Sequence, residues 1–534
     1  MSVIDKYEPA EVFKYFEEIA AIPHGSGNTR KISDYLVDFA NKHGLDVVRD
    51  DPGNVVIFAP GTSGTPSEPG TSYDDGSVVT PSESGTSYED MPPIILQGHM
   101  DMVCEKEPGT DIDMENEGLE LLCDGKTITA RGTTLGADDG IALAYILAIL
   151  DSEKIAHPPI EAVFTVDEEI GMLGAAALDM SILKGRMLLN IDSEEEGVLL
   201  CGCAGGALVT GKWELGYEAC DLSSDTACDH VMRLYRLTID GLKGGHSGNE
   251  IDKGRANANI LLGRVLEQME DEIRLISVSG GSKDNAIPAS AYADIAVSSD
   301  KIGGIAEKMK SAFRSEYRLT DPDVDVRLTE IEIGTVCPQS EADADKTGRA
   351  YTEDGMGLPK TVKVMTMDTM KRVINALRLL PNGIQRMSRE MEGLVQTSLN
   401  MGILEIKNDT LELGFCVRSN VNSEKYELIG RVVRGIEALG GMALVSGDYP
   451  GWEYREKSPL RDHMVSVFER MYSHAPEVEM IHAGVECGFF DREIDGLDAI
   501  SIGPDLKDIH TPNESMDIES VRRTWEYLLE VLKM

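Results

Sequence analysis

Six side chains that can bind a metal ion or carry a proton follow predicted strands or begin a predicted helix: His99, Asp138, Glu168, Glu169, Asp192 and His510. Ligands of open α/β sheets bind just beyond the carboxyl ends of the strands, so these side chains are expected to meet at one edge of a sheet. Two histidines and three carboxylates suit a borderline divalent cation such as zinc, cobalt or manganese. One bridging carboxylate would allow two ions to lie about 3.5–4 Å apart. The pattern therefore predicts a two-metal site.

The residues beside the candidate ligands suggest how such a site would work. Asp101, two residues after His99, is placed to orient that imidazole. The pair Glu168-Glu169 offers one carboxylate to a metal and one to a proton. Each feature alone also has a structural explanation, since Asp138 fits a helix N-cap and the glutamate pair fits a solvated turn. The joint occurrence of all the candidates at strand ends favours the metal site.

The elements that would position these residues change in style along the chain. In residues 1–206, apolar strands alternate with helices, which predicts a mostly parallel sheet covered on both faces. Residues 207–450 follow an order of strand, helix, two strands, helix and strand that largely recurs, which predicts two split βαβ units in tandem. Residues 451–534 return to the first style. We therefore expect an α/β domain, 1–206 and 451–534, that contains an inserted α+β lid domain, 207–450.

Three polar segments are predicted to lie outside the core. Residues 61–90 are rich in Gly, Ser, Thr and Pro, and residues 338–360 are similarly polar. Neither segment has an apolar periodicity that could bury a face, so both are expected to be flexible surface insertions without a chemical role. The acidic run at 194–196 is expected to be a solvated turn.

Composition excludes several classes of partner. A formal net charge of -43 argues against nucleic acid and against an anionic membrane surface, because both require clustered basic residues. The first residues lack the pattern of a signal peptide, and the apolar run from Ile141 is too short to span a bilayer. Nine cysteines without a CxxC framework are typical of a reducing compartment, which favours the cytoplasm.

One segment approaches a nucleotide-binding motif. Residues 206–212, GALVTGK, nearly match a phosphate-binding loop. Trp213 stands where Ser or Thr would bind magnesium, so the sequence argues against nucleotide binding.

Ordered blocks along the whole chain resemble a known family. They are GHMDMVCEK, TTLGADDGIALA, VDEEIGMLGA, LNIDSEEEG, GCAGG, GGHSG, DNAIP, SGDYPGW, IHAGVECGFF and GPDLKDIHTPNE. Together these blocks resemble the aminoacyl-histidine dipeptidases, also called cytosol non-specific dipeptidases or peptidase D, which are M20 metallopeptidases. The two polar insertions interrupt the resemblance but leave the blocks intact. It implies a zinc-peptidase-like α/β catalytic domain and a lid domain built from two ferredoxin-like units.

The resemblance also implies roles for particular residues. His99 and Asp192 would bind different metals, His510 and Glu169 would complete the pair, and Asp138 would bridge. Glu168 would be the general base, and Asp101 would support the site. From the lid, His246 in GGHSG would stabilise the oxyanion, while Asn285 in DNAIP and Arg418 in FCVRSN would contact the substrate.

The implied activity is hydrolysis of dipeptides, both Xaa-His and a broader range, with two metal ions, zinc or alternatively cobalt or manganese. The implied assembly is a homodimer formed through the lid domain. Two alternatives remain open: an M20 amidohydrolase that cleaves N-acyl groups from amino acids, and a non-catalytic, metal-stabilised peptide-binding protein. The presence of Glu168 together with all five ligand candidates argues against the non-catalytic alternative.

Overall fold

A computed structural model describes residues 3–63, 72–74, 77–79, 87–222, 232–332 and 361–534. Within these residues the helices are α1 (Ala10–Ala20), α2 (Arg30–His43), α3 (Ala137–Asp151), α4 (Leu173–Ala177), α5 (Ala258–Met269), α6 (Ile302–Glu316), α7 (Met367–Leu379), α8 (Asn422–Ala438), α9 (Pro459–Tyr472), α10 (Cys487–Glu493) and α11 (Ile518–Val531).

The strands of the first half are β1 (Asp46–Arg49), β2 (Val55–Ala59), β3 (Ser72–Asp74), β4 (Ser77–Val79), β5 (Ile94–His99), β6 (Leu121–Cys123), β7 (Thr127–Ala130), β8 (Ile160–Thr165), β9 (Met187–Asn190), β10 (Val198–Cys203), β11 (Gly205–Glu214), β12 (Tyr217–Asp221), β13 (Arg233–Asp240) and β14 (Gly245–His246). Those of the second half are β15 (Ile273–Gly280), β16 (Ala286–Ile287), β17 (Ala291–Val297), β18 (Asp325–Glu330), β19 (Thr361–Met365), β20 (Gly383–Met387), β21 (Val395–Lys407), β22 (Thr410–Ser419), β23 (Met442–Tyr449), β24 (Glu477–Ile481), β25 (Asp498–Ser501), β26 (Leu506–Lys507) and β27 (Ser515–Asp517).

The chain divides into two compact units. The first contains Met1–Cys203 and Tyr449–Met534, and the second contains Ala204–Asp448. The boundaries expected from sequence, after 206 and after 450, lie within three residues of these divisions.

The two predicted insertions fall mostly outside the described residues. All of 338–360 lies there, as does most of 61–90. The described part of 61–90 corrects one expectation, because the side chain of Tyr88 is buried. The segment therefore contributes to a packed interior at its end, where residues 87–90 return toward β5.

The main sheet of the first unit has eight strands in the order β1-β2-β8-β5-β9-β25-β10-β24. Its central strands β8, β5, β9 and β25 run parallel to one another. The β1–β2, β2–β8 and β10–β25 pairs are antiparallel, but β10 and β24 are parallel, so four of the seven neighbouring pairs are parallel, as expected for a mostly parallel sheet. The central strands are continuous apolar runs that are buried on both faces, as expected for parallel strands under helices.

Helix α3 covers the middle of this sheet. It packs on β5 and on α1, and its residues 140–149 are buried all round, which explains why they read as an unbroken apolar run. Helix α10 packs against β10 and β25, and α9 packs against β25 and α11. A small four-stranded sheet in the order β26-β27-β7-β6 completes the unit.

The second unit is built on a nine-stranded sheet in the order β18-β13-β17-β15-β21-β22-β11-β23, with β20 paired to β21. Strands β13, β15, β17 and β18 with helices α5 and α6 have the 4-1-3-2 strand order of a ferredoxin-like unit. Strands β11, β21, β22 and β23 repeat that order. The expectation of two units in tandem is therefore corrected, because the first strand of the second ferredoxin-like unit precedes the whole of the first.

The near-match to a phosphate-binding loop lies in β11, where residues 205–214 pair with β22 along their full length. An extended paired strand leaves no loop to surround a phosphate, which agrees with the sequence argument. Among the described residues, no helix is both long and apolar enough to cross a membrane.

Candidate active site

Asp138 lies between the two candidate histidine ligands. Its Oδ1 is 3.1 Å from Nε2 of His99, and its Oδ2 is 3.1 Å from Nε2 of His510. Both oxygens of Asp138 face histidine nitrogens rather than backbone N–H groups of α3, which favours the ligand role over the role of a helix cap. One carboxylate therefore presents one oxygen to each histidine, which is the arrangement that a bridging ligand requires.

Gly98 allows α3 to approach β5 closely enough for this arrangement. A Cβ atom at Gly98 would lie 2.6 Å from Cβ of Ala142 and 2.7 Å from Oδ2 of Asp139. The same Asp139 oxygen accepts a hydrogen bond of 3.1 Å from the backbone N–H of His99. The start of α3 is thus fixed to the end of β5, and Asp138 is held against His99.

The parallel strands bring the remaining ligands to the same edge. His99 ends β5, Asp192 follows β9, and Nε2 of His99 lies 3.5 Å from Oδ1 of Asp192. Glu169 follows β8, and its Oε1 lies 3.0 Å from Nε2 of His510. The prediction that these residues converge beyond the carboxyl ends of the strands therefore agrees with the geometry.

His510 reaches the site from a different element than expected. The sequence placed it at the end of the last strand, but β25 ends at Ser501 and two short strands follow. His510 lies in the turn between the antiparallel strands β26 and β27, with a φ of 60°. A non-glycine residue in this left-handed region is uncommon, and such positions concentrate at functional sites.

Asp101 supports both the imidazole and the acidic loop. Its carboxylate accepts hydrogen bonds from the backbone N–H groups of Glu168, at 2.9 Å, and Glu169, at 3.3 Å. The hydroxyl of Ser26 donates to the same carboxylate at 2.8 Å. Its backbone oxygen lies 2.9 Å from Nδ1 of His99, and its Oδ1 lies 3.6 Å from that nitrogen. These contacts direct Nε2 of His99 toward Asp138 and Asp192.

Three groups of ligand atoms each lie within 4.8 Å of one another. They are His99 with Asp138 and Asp192, Asp138 with Glu169 and His510, and His99 with Glu168 and Glu169. Imidazole nitrogens and carboxylate oxygens at these separations form the donor set that zinc and its neighbours prefer. The residues present therefore fit a pair of divalent ions that share Asp138.

The electrostatics of the cluster agree with cation binding. Burial disfavours the charged imidazole of His99, but the surrounding carboxylates outweigh burial and raise its pKa well above the usual range. Hydrogen bonds to Asp138 and Glu169 raise the pKa of His510 to about 10. Burial raises the pKa of Asp192. Without metal, the buried negative charge is compensated by protons on the histidines, which divalent cations can replace.

The carboxyl of Glu168 has a different environment from that of Glu169. Burial and the negative charges of Asp192, Glu486 and Glu169 raise the pKa of Glu168 well above its usual range, although His99 opposes the shift. Glu169 instead contacts His510 directly. The structure thus places Glu169 against a histidine ligand and leaves Glu168 as a partly buried acid beside the cluster.

Several residues of the site were missed by sequence reasoning. Glu514 accepts hydrogen bonds from consecutive backbone N–H groups that lead to Asp138. Glu486 is fully buried and accepts hydrogen bonds from Gln97, at 2.6 Å, and Thr165, at 2.5 Å. Glu514 and Glu486 both lie in sequence blocks that carried the family resemblance. Their position in those blocks was the signal that could have identified them as residues of the site.

The expectation of a solvated turn at 194–196 agrees with Glu194 and Glu195, which are exposed, but Glu196 is partly buried. Glu196 makes two hydrogen bonds of 2.6 Å to the guanidinium of Arg523. Glu194 is exposed as a residue, yet desolvation of its carboxyl and the charges of Asp138 and Asp192 raise its pKa to about 7. The turn therefore borders the site and packs against α11.

The candidate residues of the second unit also lie close together. His246 in β14 pairs with Ala286 in β16, and the N–H of Ser247 donates to the backbone oxygen of Asn285 at 2.8 Å. Burial lowers the pKa of His246, and the positive charge of nearby Arg418 lowers it further. These three sequence-predicted residues, His246, Asn285 and Arg418, thus gather within one region of the unit.

Two asparagines that sequence reasoning missed hold this region in place. The side-chain amide of Asn400 donates to the backbone oxygens of Asp284 and Ala286, both at 2.8 Å, and so fixes the loop that carries Asn285. The amide of Asn257 donates to Oδ1 of Asn400 at 3.2 Å. Both asparagines are buried, so the loop is positioned from beneath.

The ring nitrogens of His246 have distinct surroundings. Nδ1 accepts hydrogen bonds from the backbone N–H groups of Gly248, at 3.3 Å, and Asn249, at 3.2 Å. In a neutral imidazole one nitrogen accepts and the other carries the hydrogen, so Nε2 is the donor here. Because burial and Arg418 lower its pKa, the ring is kept in this neutral form.

A cavity of about 740 Å³ adjoins Glu169 within the first unit. Apolar side chains of Val103, Met114 and Ile170 line part of it, and polar groups of Ser26 and Asn116 line another part. Its size and mixed lining are those of a small-molecule site. It lies directly beside the predicted metal ligands.

Comparison with known proteins agrees with this architecture. The family model described as Peptidase family M20/M25/M40 matches residues 95–534. The chain is 34% identical over 536 residues to the Cytosol non-specific dipeptidase of Escherichia coli (strain K12), covering 100% of this chain and 99% of that protein.

Solved structures give the same result. The aminoacylhistidine dipeptidase from Vibrio alginolyticus matches with a TM-score of 0.81 and 34% identity, covering 99% of this chain and 98% of that one. The aminopeptidase PepT from Bacillus cereus ATCC 10987 matches with a TM-score of 0.51 and 15% identity over 99% and 98% of the two chains, a likeness of fold alone. The resemblance drawn from the sequence blocks and the mixed α/β fold class are thereby confirmed, and the chain belongs to peptidase family M20/M25/M40.

Proposed function

We propose that this protein hydrolyses dipeptides at a two-metal site. The observation that carries the proposal is Asp138, which directs one oxygen toward His99 and the other toward His510. A single carboxylate placed in this way can join two ions into one reactive centre. The full-length similarity to proteins named cytosol non-specific dipeptidase and aminoacylhistidine dipeptidase supports dipeptides as the substrate class.

The geometry favours a revised division of the ligands. Sequence resemblance assigned His99 and Asp192 to different metals, but their ligand atoms are only 3.5 Å apart and group together with Asp138. We assign one ion to His99, Asp138 and Asp192, and the other to Asp138, Glu169 and His510. Zinc suits these donors, and cobalt and manganese are the alternatives.

When bound, the two ions supply a polarised scissile carbonyl and an acidified water. Glu168 accepts the proton of that water on a carboxylate oxygen and passes it to the nitrogen of the leaving amine. Its burial supports this role, because the raised pKa of a buried carboxylate makes it a stronger base than an exposed one. Asp101 holds the backbone of Glu168 in place.

His246 is proposed to donate its Nε2 hydrogen to the carbonyl oxygen as negative charge develops there. The two backbone donors at Nδ1 support this proposal, since they fix the tautomer that presents Nε2–H. A neutral donor also avoids the cost of burying a second cation beside Arg418. This role requires His246 to reach a metal site.

Arg418, Asn285 and the cavity beside Glu169 are proposed as elements of substrate recognition. Arg418 can form a bidentate pair with the free carboxylate of a dipeptide. The side-chain amide of Asn285 can donate a hydrogen bond to the backbone of the dipeptide or accept one from it. The cavity beside Glu169 would take a substrate side chain, with Ile170 and Met114 as its apolar walls. A pair between Arg418 and the substrate carboxylate would favour peptides with a free carboxyl terminus.

We also propose a cytoplasmic homodimer that forms through the second unit. Edge strand β23 supports this assembly, because Met442, Leu444 and Val445 are exposed on it. An open strand edge with exposed apolar side chains is a surface that a second copy can cover. The described cysteines are all free thiols, which agrees with a reducing compartment.

The experiment that tests the proposal compares substrates after metal removal and re-addition. Purified protein should lose activity on chelation and regain it with zinc, cobalt or manganese. It should cleave dipeptides, including Xaa-His, faster than tripeptides and faster than N-acetyl amino acids. Preferential cleavage of the N-acetyl amino acids would establish the amidohydrolase alternative, and metal binding without hydrolysis would establish the non-catalytic one.

A further inference from the structure

Glu514 connects two segments that each deliver a candidate ligand. Its Oε2 accepts hydrogen bonds from the N–H groups of Leu135, at 2.7 Å, and Gly136, at 3.1 Å. Its Oε1 accepts from Ala137, at 2.9 Å, and from Asp138 itself, at 3.4 Å. A single carboxylate thus collects four consecutive backbone donors at the start of α3.

The same glutamate lies in the turn that carries His510. The turn 508–514 joins β26 to β27, and the N–H of Glu514 donates to the backbone oxygen of Thr511 at 3.0 Å. The hydroxyl of Thr511 donates in turn to the backbone oxygen of Asp508 at 2.6 Å. The side chain of Glu514 therefore reaches the Asp138 loop from a turn that is closed around His510.

The burial of Glu514 shows that this contact is a built feature. The residue is 2% exposed, and a carboxylate is costly to bury unless its oxygens are hydrogen-bonded. Four N–H groups satisfy it, and hydrogen bonds to an ionised acceptor are stronger than neutral ones. The cost of burial is offset only while the Asp138 loop keeps its present backbone conformation.

We infer that Glu514 is a positioning residue that sets the geometry of Asp138 relative to His510, and so selectively tightens the metal position formed by Asp138, Glu169 and His510. The other position depends less on Glu514, because His99 and Asp192 are attached to the central strands β5 and β9. This inference rests on the proposed two-metal function. Glu514 itself is not proposed to contact the substrate.

The decisive variant is Glu514→Gln, which keeps the shape but replaces one oxygen by an NH₂ donor that repels the backbone N–H groups. Zinc bound per chain should be measured by elemental analysis after dialysis against buffered free zinc. We expect one zinc to bind as in the wild type and the other to require about 10–100-fold more free zinc. His510→Ala should weaken the same step of the isotherm more severely.

Glu161 supplies a matched control. It is also a buried glutamate, and its carboxylate accepts hydrogen bonds from the N–H groups of Lys184 and Gly185. It lies near the amino end of β8, away from the ligand-bearing edge. Glu161→Gln should therefore lower the melting temperature but leave both steps of the zinc isotherm unchanged.

Recovery of dipeptide hydrolysis by Glu514→Gln at high free zinc would complete the expected result, since every ligand is retained. A zinc isotherm of Glu514→Gln that matches the wild type would overturn the inference, as would equal weakening of both zinc ions. If Glu514→Gln does not fold, Glu514→Asp takes its place, with the same weakened step expected. Failure of the proposed function would show differently, as a wild-type protein that binds zinc but cleaves no dipeptide.

Discussion

Replacing Gly98 by alanine should disable the site without touching any candidate ligand. The added Cβ would lie 2.6 Å from Cβ of Ala142, whereas carbon atoms pack at about 3.5–4.0 Å, so the start of α3 must move by about 0.9 Å or more. The carboxylate of Asp139 blocks the other direction at 2.7 Å. Overpacking of this kind costs about 1–3 kcal/mol of stability.

The displacement matters more for chemistry than for stability. Metal–ligand distances are fixed to about 0.2 Å, and a shift of about 1 Å in catalytic geometry can reduce the rate about 100-fold. We therefore expect Gly98→Ala to fold with a modestly lower Tm, to lose zinc affinity and to lose about 100-fold in kcat/KM on a dipeptide.

The assays are differential scanning calorimetry, zinc content and steady-state hydrolysis on the same preparation. Gly304→Ala is the control, because a Cβ there meets nothing within 4 Å on the surface of α6, and the change should leave zinc content and kcat/KM unchanged. Wild-type zinc content together with kcat/KM within twofold of wild type in Gly98→Ala would refute the close-approach argument.

Three further predictions concern the chemistry and the assembly. Glu168→Ala should abolish turnover with near-normal metal content, whereas Glu169→Ala should lose metal; comparable turnover of metal-loaded Glu168→Ala and wild type would reject the assignment of the base. Because carboxylates raise the pKa of His510 to about 10 in the metal-free protein, zinc binding must displace its proton, so apparent affinity should rise about tenfold per pH unit from pH 6 to 8. Calorimetry in buffers of different ionisation enthalpy should detect that proton, and an enthalpy independent of the buffer would contradict it. If His246 acts on the partner subunit's metal site, mixing Glu168→Ala with His246→Ala under subunit exchange should restore hydrolysis; exchange proven by mass with no recovered activity would rule this out.

Apolar patterning was enough to predict the central strands and the edge at which the ligands meet. The runs before His99, before Glu168 and before Asp192 are β5, β8 and β9; His99 is the last residue of β5, Glu168 is three residues after β8, and Asp192 is two residues after β9. Burial on both faces makes such strands continuous in sequence, so their ends are visible without a structure. Apolar periodicity also marked helices and strands of the second unit, but not the pairing that places β11 in the second ferredoxin-like unit.

The mutual geometry of the side chains was decided by the tertiary structure. His99 and Asp192 come from neighbouring strands and share one ligand group, which the order of residues in the chain does not reveal. Strand β11 belongs to a ferredoxin-like unit whose other strands follow more than 150 residues later, a pairing without a local signal.

By itself, then, the sequence determined the residue types of the candidate site, because strands and their polar ends are local features. Only the tertiary structure decided that Asp138 faces both histidines, that Gly98 permits this approach, and that Glu514 ties the two ligand loops together. Glu514 and Leu135 are 379 residues apart in the chain, and their hydrogen bond exists only once both segments are packed. Contacts of this length leave no periodicity in the sequence, since neither partner constrains the residues beside it.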